Sequence, residues 1–365
     1  MALPKHVQDQ RQELVDKVVK DIQDGKPFFW DCEHYSIGRP RSLLKSTKGE
    51  DRYYKGINAM RLTISTYKND FKDSRWATFK QAQMLGGRIK KGAKGTHIEY
   101  WQYKKDVLEI NPKTGKKEPV YVINPETGQK EKKQIELEHP IVKSYVVFNG
   151  DQIEGIPKEH PITIKPEHVN EIMEDMLKHS EAKIYYDQTR SNFYRPSEDT
   201  IHVMPREQFK TLDGFYSTCA HEIAHSTGAP HRLDRDTMKN AQFGSEQYAK
   251  EELRAEMTSM FLQQKYNIRF DQKHYENHTA YLQSWAKVLK DDPNELYRAA
   301  SDAEKAMTYI EQHMMTKKLT KTKTVSIEAK PEEIKPKKVK RKLTLKVDNK
   351  NSKSKAKSKS MSLHL

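Results

Sequence analysis

Two histidines four residues apart, with a glutamate between them, are the side chains of this sequence best suited to chemistry. The segment reads His221-Glu222-Ile223-Ala224-His225. On an α-helix, positions i and i+4 share one face, so both imidazoles can bind one metal ion while the glutamate handles protons. The segment therefore predicts a zinc site, with His221 and His225 as ligands and Glu222 as general base.

Two residues are candidates for the third protein ligand. His231 completes the pattern H-E-x-x-H-x-x-G-x-x-H, which is typical of metzincins. Glu252 lies further along the chain, in a segment with helical periodicity. If residues 248–260 form a helix, Glu252 and Glu256 fall on its apolar stripe.

The position of these two glutamates matters because a buried carboxylate is costly unless it is paired or bound to metal. We therefore favour Glu252 as the ligand and expect Glu256 to orient one of the zinc histidines. On the same helical reading, Glu251 and Arg254 point away from the stripe. A helix with a solvated acidic face is the simpler alternative.

These ligands predict a hydrolytic mechanism. Zinc held by three side chains keeps one position for water and lowers its pKa. Glu222 would accept the proton of that water and pass it to the leaving amine. If His231 is not a ligand, it could stabilise the oxyanion, and the strand around Ile201 and Val203 could pair with an extended peptide.

The zinc histidines need a helix to position them, and the surrounding sequence predicts one. Phe215, Cys219 and Ile223 recur at helical spacing and form an apolar face. We expect Asp213 to cap the start of this helix and Gly228 to end it.

A second set of functional residues lies in a basic, aromatic segment, residues 39–105, which holds 17 basic and 5 acidic side chains. Single-strand binding proteins combine cations for the phosphates with rings on which bases stack. We therefore predict contacts between this segment and single-stranded DNA. The candidate residues are Tyr54, Lys55, Asn58, Arg61, Arg75, Trp76, Arg88, Lys90, Lys91 and Lys94.

The distribution of charge divides the chain into parts. Residues 1–150 carry a net charge of +10, residues 151–315 carry −8, and the Lys-rich tail from residue 316 to residue 365 carries +13. The tail has almost no aromatic residues and cannot bury a core, so we expect it to be disordered. Two similar segments, residues 110–118 and 123–131, predict turns thirteen residues apart in an exposed β-arm.

The two cysteines, Cys32 and Cys219, lie far apart and lack metal-binding spacing. They argue against a disulfide scaffold and favour a reducing cytoplasm. The N-terminus has no apolar signal segment, and no stretch approaches the roughly 18 apolar residues of a membrane span. We therefore expect a cytoplasmic protein without a membrane partner.

Several segments resemble ArdC-type antirestriction proteins, whose N-terminal domain is related to the start of TraC-type plasmid primases. The segments similar to that N-terminal domain are residues 54–58, 75–81, 85–92 and 100–101. Those similar to the metallopeptidase domain of the family are residues 199–205, 221–235 and 248–262. The resemblance extends over roughly residues 5–315 and leaves out the tail.

The resemblance implies an α+β fold with two domains. An N-terminal α+β single-stranded-DNA-binding domain at 1–150 is followed by a linker at 151–166 and by a mainly helical zincin-like metallopeptidase domain, with a small sheet, at 167–315. The family's zinc set of two histidines and one glutamate implies Glu252 as the third ligand. The resemblance also implies an antirestriction protein of a mobile element that holds a metal ion and binds DNA.

We consider a DNA-tethered zinc metallopeptidase with an unknown protein or peptide substrate as the main hypothesis. The alternative is a protein that coats single-stranded DNA, or an accessory protein for priming or transfer, in which the zinc site is not proteolytic. Glu222 favours the enzyme, because a purely structural zinc site needs no general base.

Overall fold

A computed structural model describes residues 3–24, 38–126, 128–159, 166–239, 241–266, 268 and 279–316. The helices of this part are α1 (Lys5–Gln23), α2 (Gly56–Lys68), α3 (Phe79–Met84), α4 (Pro166–Lys178), α5 (Leu212–Ser226), α6 (Glu246–Tyr266), α7 (Thr279–Asp291) and α8 (Glu295–His313). The predicted tail from residue 317 onward, Cys32, and residues 160–165 of the predicted linker lie outside the described residues.

The strands are short except for two. They are β1 (Arg41–Ser42), β2 (Arg75–Thr78), β3 (Arg88–Ile89), β4 (Thr96–Asp106), β5 (Leu108–Ile110), β6 (Lys117–Pro119), β7 (Tyr121–Ile123), β8 (Lys130–Lys132), β9 (Gln134–Asn149), β10 (Ile153–Glu154), β11 (Lys183–Tyr185), β12 (Phe193–Arg195) and β13 (Thr200–His202).

The N-terminal part is built on a four-stranded sheet in the order β1-β2-β9-β4. Strand β1 runs parallel to β2, whereas β9 runs antiparallel to both of its neighbours. Successive strand residues point to opposite faces. Trp76 packs against Leu62 of α2 and Ala77 packs against Ala82 of α3, so these two helices cover opposite faces of the sheet.

The predicted β-arm is present as two hairpins, β5–β6 and β7–β8, at the far end of the long β4–β9 pair. Three backbone hydrogen bonds join the three ribbons. Val107 donates to Lys133, Lys133 donates to Val120, and Val120 donates to Val107, over 2.7–2.9 Å. The duplicated sequences form equivalent turns, in which Asn111 and Asn124 each receive a backbone bond from a glycine four residues later.

The first part of the predicted linker packs against this N-terminal sheet. Strand β10 pairs with β3, and Ile153 and Ile156 lie in the cluster around Ala77. The carboxylate of Glu159 accepts from the backbone N–H of Ser74 over 2.6 Å. Residues 153–159 therefore pack against the N-terminal part, where β10 and β3 form a two-stranded sheet separate from the four-stranded one.

The C-terminal part is mainly helical, with a three-stranded sheet in the order β11-β13-β12. Residues 200–202, within the predicted strand, form β13. This strand is parallel to β11 and antiparallel to β12. The expectation that a substrate pairs with this strand is wrong, because hydrogen bonds to neighbouring strands occupy both of its edges.

The largest hydrophobic cluster joins both parts of the chain. Val15 and Val18 of α1 and Met60 of α2 share it with residues of α5, α6 and α8. The described residues therefore belong to one compact unit, residues 1–318. The predicted α+β class, with a helical second half, is confirmed. Among the described residues, no helix combines the length and apolarity needed to cross a membrane.

Candidate functional site

Helix α5 carries the H-E-x-x-H segment and is buried along most of its length. Its start differs from the prediction. The hydroxyl of Thr211 caps the helix by accepting from the backbone N–H of Gly214 over 3.0 Å, while Asp213 lies in the first turn. Thr211 and Asp213 are both good capping residues, and the sequence alone does not rank them.

The two histidines of α5 meet Glu252 of α6. His221 Nε2 lies 3.1 Å from His225 Nε2 and 3.5 Å from the Glu252 carboxylate. The other oxygen of that carboxylate lies 3.4 Å from His225 Nε2. Ligand atoms of these three buried residues all fall within 4.8 Å of one another. Two imidazoles and one carboxylate form the donor set of a divalent metal site of the zincin type.

Each histidine also has a carboxylate at its other ring nitrogen. Glu256 lies 3.3 Å from His221 Nδ1, and Glu251 lies 3.2 Å from His225 Nδ1. Such partners fix the tautomer of a metal-binding histidine and leave the Nε2 lone pair for the metal. Glu256 has the position predicted for an orienting group.

Glu251 was missed by the sequence analysis. The expectation that Glu251 and Arg254 point away from the buried face of α6 is wrong, since both are buried. The helix packs against α5, α7 and α8, so it has no solvated side along residues 251–264. The adjacent pair Glu251-Glu252 was the available signal, but a search limited to one apolar stripe excludes the first of them.

The charge of Glu251 is balanced by Arg235, which lies in the segment after α5. The guanidinium donates to both carboxylate oxygens, over 2.5 and 3.1 Å, and Thr237 Oγ1 donates a further hydrogen bond. Burial would raise the pKa of Glu251, but Arg235 and His225 lower it to about 2. The carboxylate that supports His225 is therefore ionised at neutral pH.

Glu222 is buried beside the histidine pair. Burial raises the pKa of its carboxyl group above the usual value, while His221 and His225 act in the opposite direction. The backbone of Tyr194, in β12, also lowers the pKa of this carboxyl group. In the described sheet β12 is an edge strand, and it packs against α5, the helix that carries Glu222.

His231 does not join the cluster of ligand atoms. Its side chain is 60% exposed, and its Nε2 lies 3.2 Å from Asp199. The neighbouring Arg232 points inward and donates to both oxygens of Asp199 over 2.8 Å and to the carbonyl of Ser226 at the end of α5. This buried arginine sets the direction of the turn and leaves His231 outside, despite the metzincin-like spacing.

Several predicted DNA contacts are structural residues instead. The prediction that Trp76 stacks on bases is wrong, because its side chain is fully buried in the cluster with Leu62. The prediction for Arg61 is also wrong, since its buried guanidinium bonds to the hydroxyl of Tyr297 and lies 3.4 Å from Glu99.

Three other candidates are engaged within the fold. The Asn58 amide donates to the backbone carbonyl of Glu99 in β4 and accepts from its backbone N–H, over 2.6 and 2.9 Å. Arg75 pairs with Asp73 over 2.6 Å. Tyr54 is half-buried against two clusters, and burial raises the pKa of its hydroxyl to about 12.

The remaining candidates are exposed at the surface: Lys55, Arg88, Lys90, Lys91 and Lys94. Arg88 forms an ion pair with Glu154 over 2.7 Å, and its side chain is 83% exposed. The four lysines are exposed, and long cationic side chains at a surface can reach phosphates.

Two family models match consecutive parts of the chain. The model for the N-terminal domain of anti-restriction factor ArdC matches residues 8–148, and the model for zincin-like metallopeptidases matches residues 171–302. The two models identify residues 8–148 as an ArdC-type N-terminal domain and residues 171–302 as a zincin-like domain. The family resemblance of the sequence is thereby confirmed, and the second domain contains the histidine pair and Glu252.

The chain is also similar to curated proteins. Two Escherichia coli proteins named DNA primase TraC are 39% and 40% identical over 275 and 278 residues, which is 75% of this chain in each case. The chain spans only 24% and 18% of the length of these relatives. The similarity therefore concerns one segment of much longer proteins.

A solved structure covers both domains. The antirestriction ArdC protein from the R388 plasmid, solved metal-free and with Mn(II) bound, is 28% identical to this chain with a TM-score of 0.60. The match covers 83% of this chain and 97% of that one. A zincin-like domain, the clustered donor atoms and a metal-binding structural relative together indicate a site for a divalent metal ion.

Proposed function

We propose that this chain is an antirestriction-type protein of a mobile element that binds single-stranded DNA and hydrolyses a protein substrate with zinc. The observation that carries the proposal is the placement of Glu222 beside the donor set of His221, His225 and Glu252. A structural metal site needs no buried carboxylate in this position.

The donor set matches zinc in kind and number. Two neutral imidazoles and one carboxylate are the ligands of catalytic zinc sites that keep a position open. When bound, zinc would supply a Lewis acid that activates water and polarises a carbonyl group. The glutamates behind the two rings hold the imidazoles in place, and Arg235 offsets part of the negative charge.

Glu222 is the proposed proton carrier. Burial raises the pKa of this carboxyl group, whereas the neighbouring histidines and the Tyr194 backbone lower it. Its position between the two histidines on α5 would let it act on a water held at the donor set. Glu222 would take a proton from the attacking water and deliver it to the leaving amine.

The substrate is proposed to pair with the open edge of strand β12. An extended peptide that pairs with this edge would place its backbone beside Glu222. Strand β13 lies inside the sheet and is unsuited to this role. Backbone pairing selects an extended conformation rather than a sequence, so the class of substrate is an unfolded or loop segment of a protein.

Binding of single-stranded DNA is proposed for the N-terminal domain. Residues 39–105 carry 17 basic and 5 acidic side chains, and the lysines at positions 55, 90, 91 and 94 are exposed. The relatives that share this segment are named DNA primases. Phosphate binding by exposed lysines would tether the metallopeptidase domain to DNA in the cytoplasm.

The similarity to the TraC proteins also supports a second candidate function. In this alternative, the chain coats single-stranded DNA or assists priming and transfer, and the metal has no proteolytic role. The two functions differ in their need for Glu222, because DNA coating does not use a general base.

Plasmid transfer into a restricting recipient separates these functions. Donor cells would supply the wild-type chain, Glu222→Gln, or the exposed control Glu207→Gln. We expect the wild type and the control to raise transfer efficiency and Glu222→Gln to lose this effect while still binding zinc and DNA. Equal protection by Glu222→Gln would favour the alternative, and a wild type without effect would contradict the antirestriction function.

A further inference from the structure

The exposed face of α3 and the loop that follows it form a basic surface with apolar side chains. We call residues 79–94 the α3 surface. Residues 79–94 hold five basic residues and no acidic residue. Arg88 pairs with Glu154, and Lys90, Lys91 and Lys94 are exposed.

Helix α3 has a fixed orientation on the sheet. Thr78 and Gln81 form a reciprocal capping box at its start, and Ala82 is fully buried against the sheet. Phe79 is the first residue of α3 and Met84 is the last. Phe79 is 55% exposed and Met84 is 71% exposed, so neither side chain belongs to the core.

The loop after α3 is held close to the domain by tight packing. A Cβ atom on Gly87 would lie 2.7 Å from Ile153 and 2.9 Å from Ile156, so only glycine allows this approach. The Gln152 side chain donates to the backbone carbonyl of Lys94, and the Lys90 backbone N–H donates to the carbonyl of Gln152. These contacts fix the backbone that carries the exposed lysines.

The geometry points to the α3 surface as the site that contacts both bases and phosphates of single-stranded DNA. In this inference, Phe79 stacks on an unpaired base, and Lys90, Lys91 and Lys94 bind phosphates along the strand. An exposed aromatic ring in the same segment as exposed lysines is the combination that single-strand binding requires. The inference rests on the proposed DNA binding. Phe79 takes the stacking role that the sequence analysis gave to the buried Trp76.

Tyr100 and Tyr145 are an exposed aromatic pair in the sheet that is less suited to this role. Tyr100 and Tyr145 contact each other edge to face, with ring centres 6.1 Å apart. Lys143, which is opposite Tyr100 in the register, donates to the side chain of Gln102. These tyrosines serve as an internal comparison for Phe79.

The test is fluorescence anisotropy of a labelled oligothymidylate titrated with the full chain at several salt concentrations. We expect Phe79→Ala to weaken binding about tenfold, whereas Phe79→Tyr keeps the ring and the affinity. Replacement of Lys90, Lys91 and Lys94 by Gln should reduce the slope of log affinity against log salt by about 2. Thermal unfolding confirms that each variant is folded.

The matched controls are Tyr100→Ala and a triple Lys→Gln variant at exposed positions 113, 116 and 117 of the β-arm. Wild-type affinity in both controls, with losses in the α3 variants, supports the inference. If the wild type binds DNA but the α3 variants match the controls, the α3 surface is rejected and DNA binding stands. If the wild type does not bind, the proposed DNA binding itself fails.

Discussion

The carboxylate of Glu251 lies 3.2 Å from Nδ1 of His225, at the ring nitrogen opposite the one that faces His221 and Glu252. Glu256 occupies the corresponding position behind His221. Helix α6 therefore supplies three carboxylates to the metal site: one among the metal-binding atoms and one behind each imidazole. The site depends on the packing of α6 against α5 as much as on the H-E-x-x-H segment.

Replacement of Glu251 tests the role of the carboxylate behind His225. Glu251→Gln keeps the shape of the side chain but removes its charge, so the imidazole loses its ionised acceptor. We expect zinc affinity to fall about 10- to 100-fold. Competition with a chromogenic zinc chelator measures this change. Glu246→Gln, at an exposed position of the same helix, should leave affinity unchanged, and an unchanged Glu251→Gln would exclude the orienting role.

Removal of Arg235 should destabilise the fold more than removal of the carboxylate it binds. Arg235→Ala leaves Glu251 buried with its main cationic partner missing, which costs about 3–5 kcal/mol of unfolding free energy. The double variant with Glu251→Gln should recover part of this loss, because no uncompensated charge remains. Urea denaturation of the metal-free chain measures both values. Additive losses in the double variant would show that the two side chains are not coupled.

The pairing of Arg232 with Asp199 predicts a pH-dependent contribution to stability. Burial would raise the pKa of Asp199, but hydrogen bonds from Arg232 hold it below its usual value of 3.8. Because the folded-state pKa is lowered, the stabilisation is present above about pH 4 and is lost as the pH falls below it. Arg232→Ala should therefore cost about 2–3 kcal/mol at pH 7 and less in acid. Arg232 also donates to Glu181 over 2.8 Å and lowers its pKa, so Glu181 contributes to the same pH dependence.

The exposed ion pair of Arg195 with Glu198 provides the control for this prediction. Arg195→Ala should change the unfolding free energy by less than about 1 kcal/mol at any pH, because solvent screens the pair. Denaturation at pH 7 and near pH 3.5 compares the two variants. A difference between wild type and Arg232→Ala that stays constant with pH would exclude Asp199 as the responsible partner.

The grouping of His221, His225 and Glu252 could be predicted because it is local to two helices. The i, i+4 spacing of His221 and His225 determines their common face, and the apolar periodicity of α6 places Glu252 inward. Glu251 was missed because that reasoning assumes one buried face, whereas three neighbouring helices enclose α6. His231 is an example of a misleading pattern. Its spacing from His221 matches the metzincin pattern, but Arg232 points inward, so His231 points to the surface.

The positions of the basic and aromatic candidates in the fold were predicted less well for a physical reason. Composition shows that aromatic and basic residues are concentrated in one segment, but both types also serve as core and as ion-pair partners. Trp76 lies on a buried face of the sheet, and Arg61 lies beside the buried carboxylate of Glu99. Neither role can be recognised without knowledge of tertiary contacts. The order of strands in a sheet is equally hard to predict. The sequence predicts that β13 is a strand but does not show that β11 and β12 pair with both of its edges.

The central claim is that His221, His225 and Glu252 bind one zinc ion, and the most direct measurement is the zinc content of the purified full-length chain. Samples of the wild type, Glu252→Gln and His231→Ala would be dialysed against metal-free buffer and measured by mass spectrometry. We expect one zinc per chain in the wild type and in His231→Ala, and loss of zinc in Glu252→Gln. A wild type without stoichiometric zinc, or a loss confined to His231→Ala, would contradict the account.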